Sequence, residues 1–172
     1  NISNCINNAV PVISGTTGWL EKYDDVIELC HQKKGAFIYA SNFSLGVNIF
    51  FELNAQLAKM MNSLNDYTST LEEIHHTKKL DAPSGTAITL AEGIIDNSSK
   101  TAWKLDGNTS KEIIPITAKR IADIPGTHTV DYTSAVDSIE IKHTAHNRQG
   151  FALGALVAAE WLQDKKGVYT MK

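Results

Sequence analysis

With 172 residues, the chain has room for one domain or one and a fraction. A hydrophobic share of 42% with 20% charged residues is that of a globular protein, not a disordered or fibrous one. A net charge of −3 and a pI near 6.1 supply no basic field for nucleic acid, and no apolar run approaches the roughly 20 residues of a membrane helix.

The chain opens Asn1-Ile2-Ser3-Asn4, without an initiator Met or the charged n-region of a signal peptide. Residues 1–8 read as a helix end and residues 9–14 as a short buried strand, so the expectation is a fragment that enters mid-fold. Cys5 and Cys30 make no disulfide framework and read as buried thiols of a reducing, cytoplasmic compartment. A glycine-bracketed turn, Gly15-Thr16-Thr17-Gly18, precedes helical spacing at Tyr23, Val26, Ile27, Leu29 and Cys30, which Lys33-Lys34-Gly35 ends. Residues 36–40 form a second short strand, completing a parallel βαβ unit.

Residues 44–63 predict a long helix with an apolar stripe of Val47, Phe50, Phe51, Leu57, Ala58 and Met61, interrupted only by Asn54. Strand alternation then runs over residues 67–76, 113–119, 127–133 and 138–144, with the turn signal Asp123-Ile124-Pro125-Gly126 between the second and third. A helix over 84–96 interrupts the series, and a last helix spans 151–162 before a strand or tail at 168–171. The expected fold class is α/β plus α+β: a parallel-sheet unit, and an α+β domain with an open four-stranded mixed sheet. Helices on one side of that sheet would leave an apolar face, with Val130, Tyr132, Ile139 and Ile141 as candidate members; the alternation alone does not say whether they point inward or outward.

The chemistry-bearing stretch is Glu73-Ile74-His75-His76-Thr77-Lys78-Lys79-Leu80-Asp81-Ala82-Pro83-Ser84-Gly85-Thr86-Ala87. It leads from a strand end, through a polar loop, onto a helix start. Ser84 suits an N-cap, and Gly85 and Thr86 sit in the first turn of the helix, whose N–H groups attract anions. Lys79 and a histidine enter from the loop. Donors and cations converging in this way fit a small dicarboxylate or a phosphate. Taken singly, Ser-Gly-Thr is more often only a cap, paired histidines are usually half structural, and lysine pairs are usually solvated. His128, His143 and His146 add imidazoles, but neighbouring lysines oppose a cation and no ligand spacing appears, so no metal is expected.

Taken together, these residues resemble the dihydrodipicolinate reductase family, whose signature Glu-x-His-His-x-x-Lys-x-Asp-Ala-Pro-Ser-Gly-Thr-Ala matches at every fixed position from Glu73 to Ala87. Gly15 to Gly18, residues 40–48, and His143-x-Ala145-x-x-Arg148-x-x-Phe151-Ala152-x-Gly154-Ala155 also look like family segments. The resemblance implies an NAD(P)H-dependent oxidoreductase of lysine and diaminopimelate biosynthesis that reduces 4-hydroxy-tetrahydrodipicolinate to tetrahydrodipicolinate. It implies His75 and Lys79 as proton-transfer residues, His76 as a substrate contact, and Gly85 and Thr86 as binders of a substrate carboxylate. Gly15, Thr16, Thr17, Ala40, Ser41, Asn42 and Phe43 correspond to loops lining the nicotinamide of NADPH or NADH. Arg148 could reach a carboxylate or serve as a helix-cap cation.

The implied architecture is a truncated Rossmann nucleotide-binding domain, residues 1–42 and 147–172, with a substrate and tetramerisation domain at 43–146. In the family the open sheet packs against other subunits, so a homotetramer is the expected assembly. The family's Gly-x-Gly-x-x-Gly loop does not occur in these residues, which removes most of the pyrophosphate site and any reading of NADH against NADPH. At the Arg120 to His128 hairpin, Ala122 stands where the family usually has glycine and Thr127 where it usually has an acid. Two alternatives remain: a non-catalytic anion-binding or assembly module, and a related dehydrogenase of another small acid.

Overall fold

A computed structural model describes residues 1–16, 18–107 and 110–171. The chain divides into two compact units, one of residues 1–48 with 149–172 and the other of residues 49–148. Each is described by itself.

In the first unit, α1 (Ile2–Asn7), β1 (Val12–Ser14), α2 (Tyr23–Gln32) and β2 (Ala36–Tyr39) follow one another, and α5 (Gln149–Leu162) and β8 (Gly167–Tyr169) return to complete it. The three strands are parallel in the order β1-β2-β8, with Ile13 opposite Ile38 and Ile38 opposite Tyr169. Ile38 packs with Phe43, Ala158 and Leu162, whereas Phe37 packs with Ile6, Val26 and Cys30. Both faces of β2 are therefore covered, which is why Ala36-Phe37-Ile38 is an unbroken apolar run and not an alternating one. The turn that ends α2 differs from expectation. The left-handed residue is Lys34, at φ 52°, while the Gly35 N–H closes the helix end on the Cys30 carbonyl at 2.8 Å.

The helix α3 (Leu45–Met61) starts in the first unit and continues into the second. There it packs with α4 (Gly85–Ile95) on one face of a sheet formed by β3 (Thr68–His75), β4 (Ala102–Leu105), β5 (Ile113–Arg120), β6 (Gly126–Thr133) and β7 (Ser138–Ala145). The strand order is β4-β5-β3-β6-β7; β3 pairs parallel with β5 and antiparallel with β6. The sheet thus has five strands where the sequence suggested four. The added strand, β4, is only four residues long, too short for alternation to register, and it is held by parallel pairing to β5 and by burial of Trp103 and Leu105. Asn54, the interruption in the α3 stripe, is fully buried and donates through Nδ2 to the Leu90 carbonyl at 2.9 Å, tying α3 to α4.

The uncovered sheet face also departs from expectation. Val130 and Tyr132 are buried in the core beneath the helices, and Ile141 packs against it. The side chains that alternate with them point the other way, and along β6 these are Thr127, Thr129, Asp131 and Thr133. The open face is therefore rich in threonine rather than apolar. The apolar members of β6 were needed to bury the helices.

Candidate active site

The second unit builds its candidate site where β3 ends. Alternation along β3 turns Ser69, Leu71, Glu73 and His75 to the helix side, all four buried. Glu73 is wholly inaccessible. A carboxylate in that position demands partners, since an unpaired buried charge is strongly unfavourable. It has several. The Ser84 backbone N–H donates to Oε2 at 3.0 Å, and Arg120 Nη2 donates to Oε1 at 3.1 Å. His75 Nδ1 lies 3.5 Å and His128 Nε2 3.8 Å from Oε2.

Strand register accounts for the convergence. Glu73 is directly opposite His128 on β6, and His75 is opposite Arg120 on β5. Arg120 then reaches back over the loop after β3, donating to the carbonyls of Asp81 and Lys79, the latter at 3.4 Å. Lys79 Nζ donates to both carboxylate oxygens of Asp81 at 2.8 Å. That bond, with burial acting against it, holds the Asp81 carboxyl below its ordinary range. Arg120 and Asp81 together fix the loop that presents the Lys79 ammonium.

Ser84 caps α4 as expected: its Oγ accepts the Ala87 N–H at 3.2 Å. It also meets His128 Nε2 at 3.2 Å. Gly85 is exposed and Thr86 half-buried in the first turn. The rings of His75 and His128 stand edge to face, 5.0 Å apart. Burial, with His75, His143 and Lys79 nearby, pushes His128 down to about 3, so it is neutral. Burial also lowers His75; Glu73 opposes that, while Lys79 and Arg120 reinforce it. His76, on the opposite side of the strand end, meets Arg148 Nη2 through Nε2 at 3.1 Å.

Ligand atoms of Glu73, His75 and His128 all lie within 4.8 Å of one another. A cation among them would have to displace the Arg120 and Ser84 donors from Glu73, with Lys79 close by. The Ser84 N–H and the Arg120 guanidinium already answer this carboxylate. The sequence reading placed Glu73 and Ser84 in the chemistry-bearing stretch without giving Glu73 a role, weighed His128 only as a metal ligand, and gave Arg120 no part in the site. Period-two spacing along the strand would have put Glu73 on the same face as His75.

In the first unit, Gly15 and Thr16 follow β1, and Ala40 to Phe43 follow β2, at the carboxyl edge of the parallel strands. The Ala40 N–H donates to the Ser14 carbonyl at 3.2 Å, and a β-carbon on Gly15 would stand 3.3 Å from the Phe43 ring. Thr16 and Ser41 are exposed, while Asn42 is held in a local turn by the Ser44 N–H and the Asn48 amide, each at 2.9 Å. Small residues and exposed hydroxyls thus stand at the edge where open parallel sheets bind ligands. Thr17 lies outside the described residues.

Residues 46–172 match the family described as dihydrodipicolinate reductase, C-terminus. The 4-hydroxy-tetrahydrodipicolinate reductase of Christiangramia forsetii is 60% identical to this chain, covering all of it and 72% of the relative. That of Thermosipho africanus is 41% identical over 94% of this chain and 65% of its own length. Among solved structures, a dipicolinate-bound dihydrodipicolinate reductase from Paenisporosarcina sp. TG-14 superposes with a TM-score of 0.73 at 24% identity, covering 98% of this chain and 66% of that one. The likeness of fold is thus seen over nearly the whole chain, which spans about two-thirds of the length of these proteins.

Proposed function

Because the chain belongs to the dihydrodipicolinate reductase family, we propose that it carries the substrate end of an NAD(P)H-dependent reduction of 4-hydroxy-tetrahydrodipicolinate to tetrahydrodipicolinate, in lysine and diaminopimelate biosynthesis. The observation behind this reading is the Lys79 ammonium, held on its loop by Arg120 and Asp81, in the segment that leads to the capped start of α4. A cation and a helix N-terminus are what two carboxylates require.

In this reading His75 and Lys79 transfer protons, His76 contacts substrate, and Gly85 and Thr86 bind a carboxylate through the first-turn donors. The Lys79 ammonium offsets the dianion and draws electron density from the unsaturated ring. When bound, the reduced nicotinamide supplies the hydride; Gly15, Thr16, Thr17, Ala40, Ser41, Asn42 and Phe43 would line it. The parallel unit then corresponds to part of a Rossmann domain, with 1–42 and 147–172 as nucleotide domain and 43–146 as substrate and assembly domain. We assign a cytoplasmic homotetramer, the threonine-rich sheet face being the surface available for packing between subunits.

The test is kinetic, in the protein at the full length of its relatives. His75→Ala and Lys79→Ala should each lower kcat by roughly 10²–10⁴-fold. Pyridine-2,6-dicarboxylate should compete with substrate, and Thr86→Val should weaken it by about 1–3 kcal/mol. Near wild-type kcat in both alanine variants would overturn the assignment.

A further inference from the structure

Glu73 has no part in the proton transfers assigned above, yet it is the most buried charge-bearing group of the site and the point at which its pieces meet. One oxygen takes the Ser84 N–H at the head of α4; the other takes Arg120, which in turn holds the carbonyls of Lys79 and Asp81. The buried His75 Nδ1 faces the same carboxylate at 3.5 Å and has no hydrogen-bond partner among the described residues. At that separation a lone pair on Nδ1 would be repelled by the carboxylate, whereas a proton would be attracted. Such contacts are often long before substrate binds and tighten afterwards. Gly126 bounds the ring on its Nε2 side, where a β-carbon would come within 3.1 Å of Nε2.

We propose that Glu73 is the positioning residue of this site. Its carboxylate holds His75 with the Nδ1 proton turned inward, leaving Nε2 to give and take the transferred proton, and through Arg120 it fixes the loop that carries Lys79. The proton accounting is simple. Imidazolium carries a proton on each nitrogen; passing the Nε2 proton to substrate leaves the neutral Nδ1–H tautomer, which the carboxylate favours. The groups facing His75 are Glu73 on its own strand, Lys79 and Asp81 on the loop, Arg120 on β5 and His128 on β6. Removing the Glu73 charge takes away the principal influence that raises His75, so its titration must move to lower pH.

The catalytic half of this inference rests on the proposed proton-transfer role of His75, while the tautomer does not, and the two are tested separately. Nitrogen-15 NMR of the histidine-labelled chain at pH 8 should show His75 protonated at Nδ1 and bare at Nε2. Observation of the Nε2–H tautomer would overturn the proposal without any variant having to fold. Glu73→Gln should mix the tautomers and lower the His75 midpoint, and Glu73→Asp should restore both. In the protein at the full length of its relatives, Glu73→Gln should lower kcat about tenfold or more, shift the acid limb of kcat/KM downward and leave the substrate KM within roughly threefold. A folded Glu73→Gln protein with unchanged tautomer and pH profile would reduce Glu73 to a structural charge. If His75→Ala proved fully active while the tautomer held, the proton-transfer role of His75 in the proposed function would fail and the positioning geometry would stand.

Discussion

Gly126 and His75 are in direct opposition: a β-carbon on the glycine would lie 3.1 Å from the ring Nε2 and 3.3 Å from Cδ2. Gly126 opens β6 one residue before Thr127, which pairs with Ile74 on β3. Two neighbouring backbones thereby determine how much space the imidazole has. Gly126→Ala should push the ring by a few tenths of an ångström. Misplacement by about 1 Å costs some 10²-fold in rate, so kcat should fall roughly tenfold. Because Gly126 sits at φ 159°, a conformation L side chains rarely adopt, the thermal midpoint should fall as well. Unaltered kcat would mean that the ring position is not critical.

Arg120 makes contacts of two kinds, to the Glu73 carboxylate and to the loop carbonyls. Arg120→Met leaves the buried carboxylate short of a partner. Breaking a buried pair costs about 3–5 kcal/mol, and the side chain here is 21% exposed, which places the expected loss nearer 2–3 kcal/mol. Urea unfolding measures it, and amide exchange over residues 76–84 should accelerate. A loss below about 0.5 kcal/mol, the level of an exposed pair, would contradict the clamp.

Acid should weaken the second unit through its histidines. His128, pushed down to about 3, binds its proton in the unfolded chain near pH 6.5 but not in the folded one. Its contribution is therefore complete above about pH 6.5 and is lost progressively as pH falls toward 3, amounting to at most roughly 5 kcal/mol. His75 and His143, also lowered mainly by burial, act in the same direction. Urea midpoints at pH 7.5 and pH 5 should differ in the wild type, and His128→Gln should flatten that slope. Equal slopes in the two proteins would show that His128 does not titrate with unfolding.

These 172 residues contain no Gly-x-Gly-x-x-Gly, the turn on which dinucleotide affinity chiefly depends. Calorimetric titration of this chain alone with NADH and NADPH should show no saturation in the micromolar range, since each 1.4 kcal/mol of lost contact is tenfold in affinity. Tight binding of either would relocate the cofactor contacts.

Much of this arrangement can be read from the chain itself, and the limits of that reading are physical. Ser84, Gly85 and Thr86 announce a capped helix because capping is local, and His75 with Lys79 is carried by a contiguous motif. Arg120 is 47 residues from Glu73 and arrives only through parallel pairing of β5 with β3. No local pattern encodes that neighbour. The same holds for His128, opposite Glu73 on β6. The strand β4 is too short to show a period. The inward sense of Val130 and Tyr132 depends on register, because a slip of one residue exchanges the two faces.

The Arg120 clamp also says something about the order in which the molecule can assemble. Parallel strands cannot pair through a tight hairpin; β3 and β5 must enclose α4 and β4 before His75 and Arg120 come opposite one another. Pairings of that kind form slowly, because the connecting segment must be ordered before the contact repays it. The helix cap at Ser84 can exist early, while the Glu73 carboxylate waits for its guanidinium. The constellation around Glu73 is accordingly among the last parts of this unit to mature during folding, and until it does, an acidic group destined for full burial must remain hydrated.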